Sequence, residues 1–482
     1  MLASPVTAGR MELVWRLFGF VLVLLWIQHM HTDSLFAFVE RSAAALDGIG
    51  LCGLLLLIVG PSLPVLIASA AVGVWFLIAV LARQPTLEFM ADEYVIQAGL
   101  PIVAAIVSVA HLVARRRRPL AVDLRLREEL DELHARVFRI FAVTTLALAG
   151  LHKLNSDFFA AGSCAKLGSR LHEWWELPFE IPVAGPLGVV TLELLAALML
   201  LVYPRIGILL VVYVMAGLGH IGPAAFASTC AVISLAFLDR GDAVVLRSEA
   251  ARRWGLPVAL GLIVTATSYS TYRSPLAWIK YGLLELVLIV VACSAIATGV
   301  ARLRRKPGLR RRLVPAALRW RRRPATVMPG LTSWLALVLL FNGMSPYLGI
   351  KYRFSVAMLS NLRVDQERWN SYVVPEWVRL RSTTPHVVVD WQPVGRWTPV
   401  GKRGQHLLGD GLMSGAALLS ALEDAMRRRA RGRLRVSYRG QQQEFELPAD
   451  YLLARSWIEQ LPPALLWQQQ LGPGDQPQAC TH

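Results

Sequence analysis

From residue 14 to residue 344, apolar runs near membrane-crossing length alternate with short polar or basic breaks. A helix needs about 20 apolar residues to cross a bilayer, and only helices and closed barrels satisfy their own backbone hydrogen bonds there. The period-2 alternation of a barrel is absent, so the pattern predicts helices. About eleven spans are expected, at 14–30, 48–59, 64–81, 94–113, 137–151, 183–203, 205–218, 223–238, 256–270, 281–300 and 331–344. Gly60, Pro61 and Pro64 punctuate the chain between the second and third, and the short second run also fits half of a re-entrant pair. Residues 120–136 mix acids and bases in the manner of an amphipathic surface helix.

After residue 344 the pattern changes to that of a water-facing domain. Residues 386–391 read as a strand, 411–429 as a helix with Arg427, Arg428 and Arg429 at its dipole-favoured end, and 433–438 with 443–447 as a hairpin. The expected fold is an all-α polytopic membrane protein carrying a small α+β domain, with residues 1–345 transmembrane and 346–482 outside the cytoplasm.

Composition supports the membrane reading and changes the meaning of the charge. Hydrophobic residues make up 55% of the chain and charged ones 17%, against about 25% charged in soluble domains. The net charge of +17 would suggest nucleic acid in a soluble protein. Here much of it sits in basic loops at 115–118 and 302–323, the second with eleven basic and no acidic residues. Such loops stay cytoplasmic and meet anionic lipid. No nucleic-acid partner is expected. Counting spans from them puts the N-terminus inside, and the acidic loops at 33–47 and 84–93 and the tail outside.

Walker, dinucleotide, HExxH and nucleophile-elbow motifs are absent. Cys52, Cys230 and Cys293 lie in apolar runs, where thiols are inert; Cys164 and Cys480 share the predicted outer side and are candidates for a disulfide. No metal-ligand spacing occurs. The remaining candidates are ionisable residues at membrane depth. The densest group is Ala149-Gly150-Leu151-His152-Lys153-Leu154-Asn155, at the outer end of the fifth span. Lys153 reads either as a lysine snorkelling to the interface or as a desolvated general base with a lowered pKa. Glu193, inside the sixth span, reads as a protonated structural acid or a catalytic one, and His220 ends the seventh span on the same predicted face as Lys153. Arg139 reads as a snorkelling anchor, and Trp174 and Trp175 as an interfacial belt or a lid over a pocket.

The order of these motifs resembles the vitamin K-dependent γ-glutamyl carboxylase family, whose bacterial members carry the horizontally transferred transmembrane domain. The likeness runs over 11–370, is best over 139–238, and includes an exit motif from Phe354 to Arg363. It implies that Lys153 is the base that deprotonates a quinol, reduced vitamin K or another membrane quinol. The quinol anion would then react with dioxygen, and the strong base formed would remove a γ-proton from a glutamate that takes up CO2. It implies catalytic positions at Lys153, His220 and Glu193, and a quinol site that includes His152, Asn155, Trp174 and Trp175. His152 stands where the animal enzyme has a second lysine, and Asn155 where it has aspartate. No metal is implied. The implied partners are membrane lipid and an extracytoplasmic peptide or protein. The tail is shorter than the animal enzyme's lumenal region and carries no match to its propeptide site, and neither His111 nor His134 aligns with its upstream histidine. Two other classes fit the pattern: a non-catalytic membrane scaffold or quinone- or lipid-binding protein whose tail recruits a partner, and, less well, a transporter, for which inverted repeats are absent.

Overall fold

A computed structural model of the chain describes residues 10–30, 57, 62–82, 91–115, 123–159, 185–221, 224–239, 242, 275–305, 329–348, 362, 369–379, 386–394, 411–427, 429–438 and 440–461. The helices are α1 Arg10–Met30, α2 Leu63–Ala82, α3 Ala91–Arg115, α4 Asp123–His152, α5 Ser156–Phe159, α6 Pro186–Val202, α7 Pro204–Ile221, α8 Ala224–Ser234, α9 Pro275–Arg305 and α10 Pro329–Met344. The C-terminal part holds β1 His386–Pro393, β2 Gly411–Ser414, α11 Gly415–Arg427, β3 Gly432–Tyr438, β4 Gln441–Leu447 and α12 Tyr451–Glu459. Among the described residues the protein is mostly helical with one small sheet.

Two helical stretches, Ile96–Val113 and Glu128–His152, are long and apolar enough to cross a membrane. Apolar stretches in six other helices are shorter, between 10 and 17 residues. The expected count of about eleven spans is not reached among the described residues. The predicted span at 256–270 lies outside them, as does nearly all of 48–59.

Helix α4 corrects a second expectation. The surface helix at 120–136 and the span at 137–151 form one continuous helix of 30 residues. No glycine or proline interrupts it before Gly150, so nothing breaks the hydrogen-bond ladder where the composition turns apolar. Its acids cluster toward the N-terminal half, where the helix dipole favours them.

The chain forms two compact units. The first comprises Met1–Leu77, Val95–Ala147 and Leu167–Leu339, and the second Ile78–Tyr94, Leu148–Lys166 and Leu340–His482. In the first, α7 packs on α6, α8 and α9, and α1 packs on α8. Gly207 lets α7 lie directly against the backbone of Met199 and Leu200, a space any β-carbon would fill. Trp15, Phe18 and Phe138 meet edge to face, with Trp15 and Phe138 ring centres 4.8 Å apart.

In the second unit an antiparallel sheet of order β2-β1-β3-β4 packs against α11 and α12. Alternation decides which side is buried: Val387, Val389 and Trp391 face the helices while Val388 is exposed. Val436, Leu434, Phe445 and Leu447 complete that layer with Leu418, Leu422 and Ile458. The strand at 386–391 and the hairpin appear where the pattern places them, with Gly440 at φ +81° in the turn. Residues 411–414, expected as the start of a helix, form β2 instead, paired from Gly411 with Val389 to Ser414 with His386. The edge of β1 needs backbone partners, and that tertiary demand outweighs local propensity.

Candidate functional site

The second unit contains the end of α4 and the turn that carries Lys153. The helix stops at His152 because the next residues leave its ladder: the Leu154 N–H donates to the Leu151 carbonyl at 3.1 Å, and the Asn155 N–H to the Lys153 carbonyl at 2.9 Å. Lys153 folds back over its own last turn, its Nζ donating to the Ala149 carbonyl at 3.3 Å. A donor there satisfies one of the carbonyls that the helix end leaves without a backbone partner. The side chain is only 2% exposed. A snorkelling lysine keeps its ammonium in water or headgroups; Lys153 is enclosed by protein, which removes that reading.

Asn155 holds this turn in place. It caps α5: its Oδ1 accepts the Phe158 N–H at 2.9 Å, and its Nδ2 donates to the His152 carbonyl at 2.7 Å. The same Oδ1 accepts Asn370 Nδ2 at 3.3 Å. A short antiparallel bridge joins the two strands of chain, with Ser156 N–H donating to the Asn370 carbonyl and Tyr372 N–H to the Leu154 carbonyl. Asn155 and Asn370 are both buried. The Asn155 amide thereby acts as a positioning group for the residues on either side of it.

His152, fully buried, stacks on Tyr347 with ring centres 5.3 Å apart and planes 13° from parallel. Tyr347 follows α10 and packs with Leu362, Trp369, Met344 and Val374. Burial pushes its hydroxyl up to about 12, against an opposing pull from the Ser371 side chain. Helix α10 approaches the end of α4 closely enough that a β-carbon on Gly343 would overlap the Leu148 side chain. Leu148, Ala149 and Met344 form the small apolar cluster beneath. The result is a buried amine, an imidazole–phenol stack and two amides converging on one turn.

The other expected site residues are placed as follows. Glu193 is buried in α6 of the first unit, 1% exposed. His220 falls in the last turn of α7, also in the first unit. Trp174, Trp175, Cys164 and Cys480, the exit motif apart from Leu362, and nearly all of the loop at 302–323 lie outside the described residues. Cys230 is buried and Cys293 half-buried, both as thiols. Arg139 is not a snorkelling anchor. It is 6% exposed, donates from Nε to the Ala236 carbonyl at 2.8 Å, pairs with Glu132 at 3.3 Å and lies over the Phe237 ring. The unpaired carbonyls where α8 ends give it a better partner than the interface.

Several polar contacts escaped the sequence reading. In the first unit Trp15 Nε1–H donates to His134 Nδ1 at 3.1 Å, and His134 Nε2 meets Ser108 Oγ at 2.7 Å. Indole is a donor only, so His134 Nδ1 accepts and the ring proton sits on Nε2. The Ser108 hydroxyl in turn donates to the Ala104 carbonyl at 2.7 Å. This ordered chain ties α1, α3 and α4 together. His111 lies 3.1 Å from Glu129, and Arg205 forms a two-pronged pair with Asp242. A histidine within an apolar helical pattern was the available signal for His111; His134 sits in the charged segment 120–136, and Tyr347, Asn370 and Ser371 carried none. Among the described residues, no three His, Cys, Asp or Glu side chains are grouped as a metal ion requires. Comparison with family models, with curated proteins and with solved structures finds no match for this chain.

Proposed function

We propose that this chain is a multi-pass membrane enzyme that uses Lys153 as the base toward a membrane quinol, in the manner of the γ-glutamyl carboxylase family it resembles. The observation that carries the reading is Lys153 itself: an amine 2% exposed at the end of an apolar helix, with its turn pinned by Asn155 and Asn370. Nature seldom buries a lysine without use for it. The surroundings suit a planar, apolar, weakly acidic ring. The His152–Tyr347 stack and the Leu148, Ala149 and Met344 cluster make the neighbourhood of the turn aromatic and apolar.

The quinol, when bound, supplies the acidic hydroxyl and the reducing equivalents that dioxygen consumes. Lys153 accepts the hydroxyl proton. Its enclosure keeps bulk water from competing for the base. Asn155 keeps the amine's turn from fraying, so that the approach distance is set before the reactant arrives. By the same resemblance Glu193 and His220 are assigned catalytic roles, and His152, Asn155, Trp174 and Trp175 to the quinol site. The full reading comprises about eleven spans, a cytoplasmic N-terminus and an extracytoplasmic tail that meets a peptide substrate.

The test uses purified full-length protein with reduced vitamin K, dioxygen, labelled bicarbonate and a glutamate peptide. Epoxide formation and incorporation of label are measured for wild type and Lys153→Ala. The expected result is loss of both in the variant, by at least the 10²-fold typical of a general base. Equal turnover in the two proteins refutes the role of Lys153. Quinone binding without turnover in wild type points instead to the non-catalytic binding protein.

A further inference from the structure

Residues 369–379 have two unlike sides. On the inner side, Trp369 Nε1 donates to the Val374 carbonyl at 2.8 Å, and both residues pack on buried Tyr347 and Leu362. The Tyr372 N–H donates to the Leu154 carbonyl at 2.9 Å, which fastens the segment beside the Lys153 turn. On the outer side, Tyr372 is 66% exposed, Val373 49% and Trp377 83%. The loop between them is held firmly: Glu376 and Arg379 pair at 2.8 Å, and the Arg379 guanidinium lies over the Trp369 ring. A braced loop that displays tryptophan, tyrosine and valine together marks a place of contact.

The depth of that contact is set by a hydrogen bond. Leu154 lies two residues beyond the membrane-length stretch Glu128–His152, so Tyr372 is tied to the end of a span. The end of a span lies at headgroup level, where the rings of tyrosine and tryptophan are favoured because one end is apolar and the other polar. Helix α10 shows the neighbouring depth, with Leu340 and Phe341 exposed 49% and 59% just before it ends at Met344. Glu376 and Arg379 supply the polar partners expected on the headgroup side.

We propose that Tyr372, Val373 and Trp377 form an interfacial anchor that seats this loop in the boundary between lipid headgroups and acyl chains. The anchor braces the Asn155–Ser371 bridge from outside and so steadies the Lys153 turn. The proposal rests on the reading of Glu128–His152 as a membrane span and is independent of any catalysis.

The full chain is reconstituted in phosphatidylcholine vesicles brominated either near the headgroup or near the bilayer centre. Emission of wild type minus that of Trp377→Phe isolates Trp377 among the 15 tryptophans. Phenylalanine keeps the apolar bulk, so the variant is expected to fold. The expected difference signal is blue-shifted, mostly lost with shallow bromines and little affected by deep ones. A red-shifted, unquenched signal overturns the anchor, because Trp377 is then in water. A blue-shifted signal that neither lipid quenches also overturns it, because protein then covers the ring. An alkaline carbonate wash separates the two readings. If the chain is stripped from the vesicles, the span reading fails and the anchor with it; if it is retained with Trp377 unquenched, only the anchor fails.

Discussion

Replacing Asn155 by alanine removes three hydrogen bonds at one turn, and the structure sets the size of the loss. The first is the cap on α5, whose removal costs about 1 kcal/mol. The second leaves the buried His152 carbonyl without its Asn155 donor, and the third takes from Asn370 its Asn155 acceptor. A buried polar group that loses a partner costs about 1–3 kcal/mol. Because Asn155 and Asn370 are both buried, water does not readily replace what is lost. The expected destabilisation is about 3–7 kcal/mol, read by equilibrium denaturant unfolding in detergent. The cycle with Asn370→Ala isolates one bond: the double variant is expected to lose about 1 kcal/mol less than the sum of the singles. If Asn155→Ala unfolds within about 0.5 kcal/mol of wild type, the ordinary range of a surface substitution, the turn is held by something else. Its positioning role for Lys153 then falls as well. On the proposed function, quinol turnover gives a second reading, since a loosened turn is expected to lower kcat in Asn155→Ala even at temperatures where the protein remains folded.

Two further outcomes follow from the same neighbourhood. Gly343→Ala is expected to cost about 1–3 kcal/mol by forcing a methyl group into Leu148, and Leu148→Ala in the same chain to recover part of it, as thermal unfolding of the single and double variants will record. The Tyr347 hydroxyl, raised from 10.0 to about 12, contributes stability that is fully present below pH 10. The contribution is lost as pH rises toward 12, because the unfolded chain ionises first. The stability of wild type relative to Tyr347→Phe is expected to fall across that window by up to about 3 kcal/mol, and parallel pH curves for the two proteins would remove the phenol from the buried stack.

How far the fold can be read from the sequence depends on how local each determinant is. The first tail strand was legible because three consecutive β-branched residues, Val387, Val388 and Val389, and Trp391 fall in one short segment. Residues 411–414 were not, since Leu412 and Met413 suit a helix equally well and only pairing with β1 decides between them. The charge pattern of residues 120–136 suggested a separate surface helix, yet the continuity of α4 was visible in the absence of any breaker before Gly150. The site shows the same division. Lys153, His152 and Asn155 could be singled out together because they share one turn. What packs around them could not: Asn370 is 215 positions away from Asn155 in sequence, and Tyr347 and Ser371 come from the same distant stretch of chain. Likewise Trp15 reaches His134 across 119 positions, so neither residue alone announces the ordered chain they form. Whether Lys153 snorkels or is enclosed was therefore undecidable from spacing, because the two cases differ only in residues remote along the chain. The structure decides for enclosure: Lys153 is 2% exposed, and Asn370 and Ser371 pair with Asn155, two residues beyond it. That enclosure makes the amine worth testing as a base.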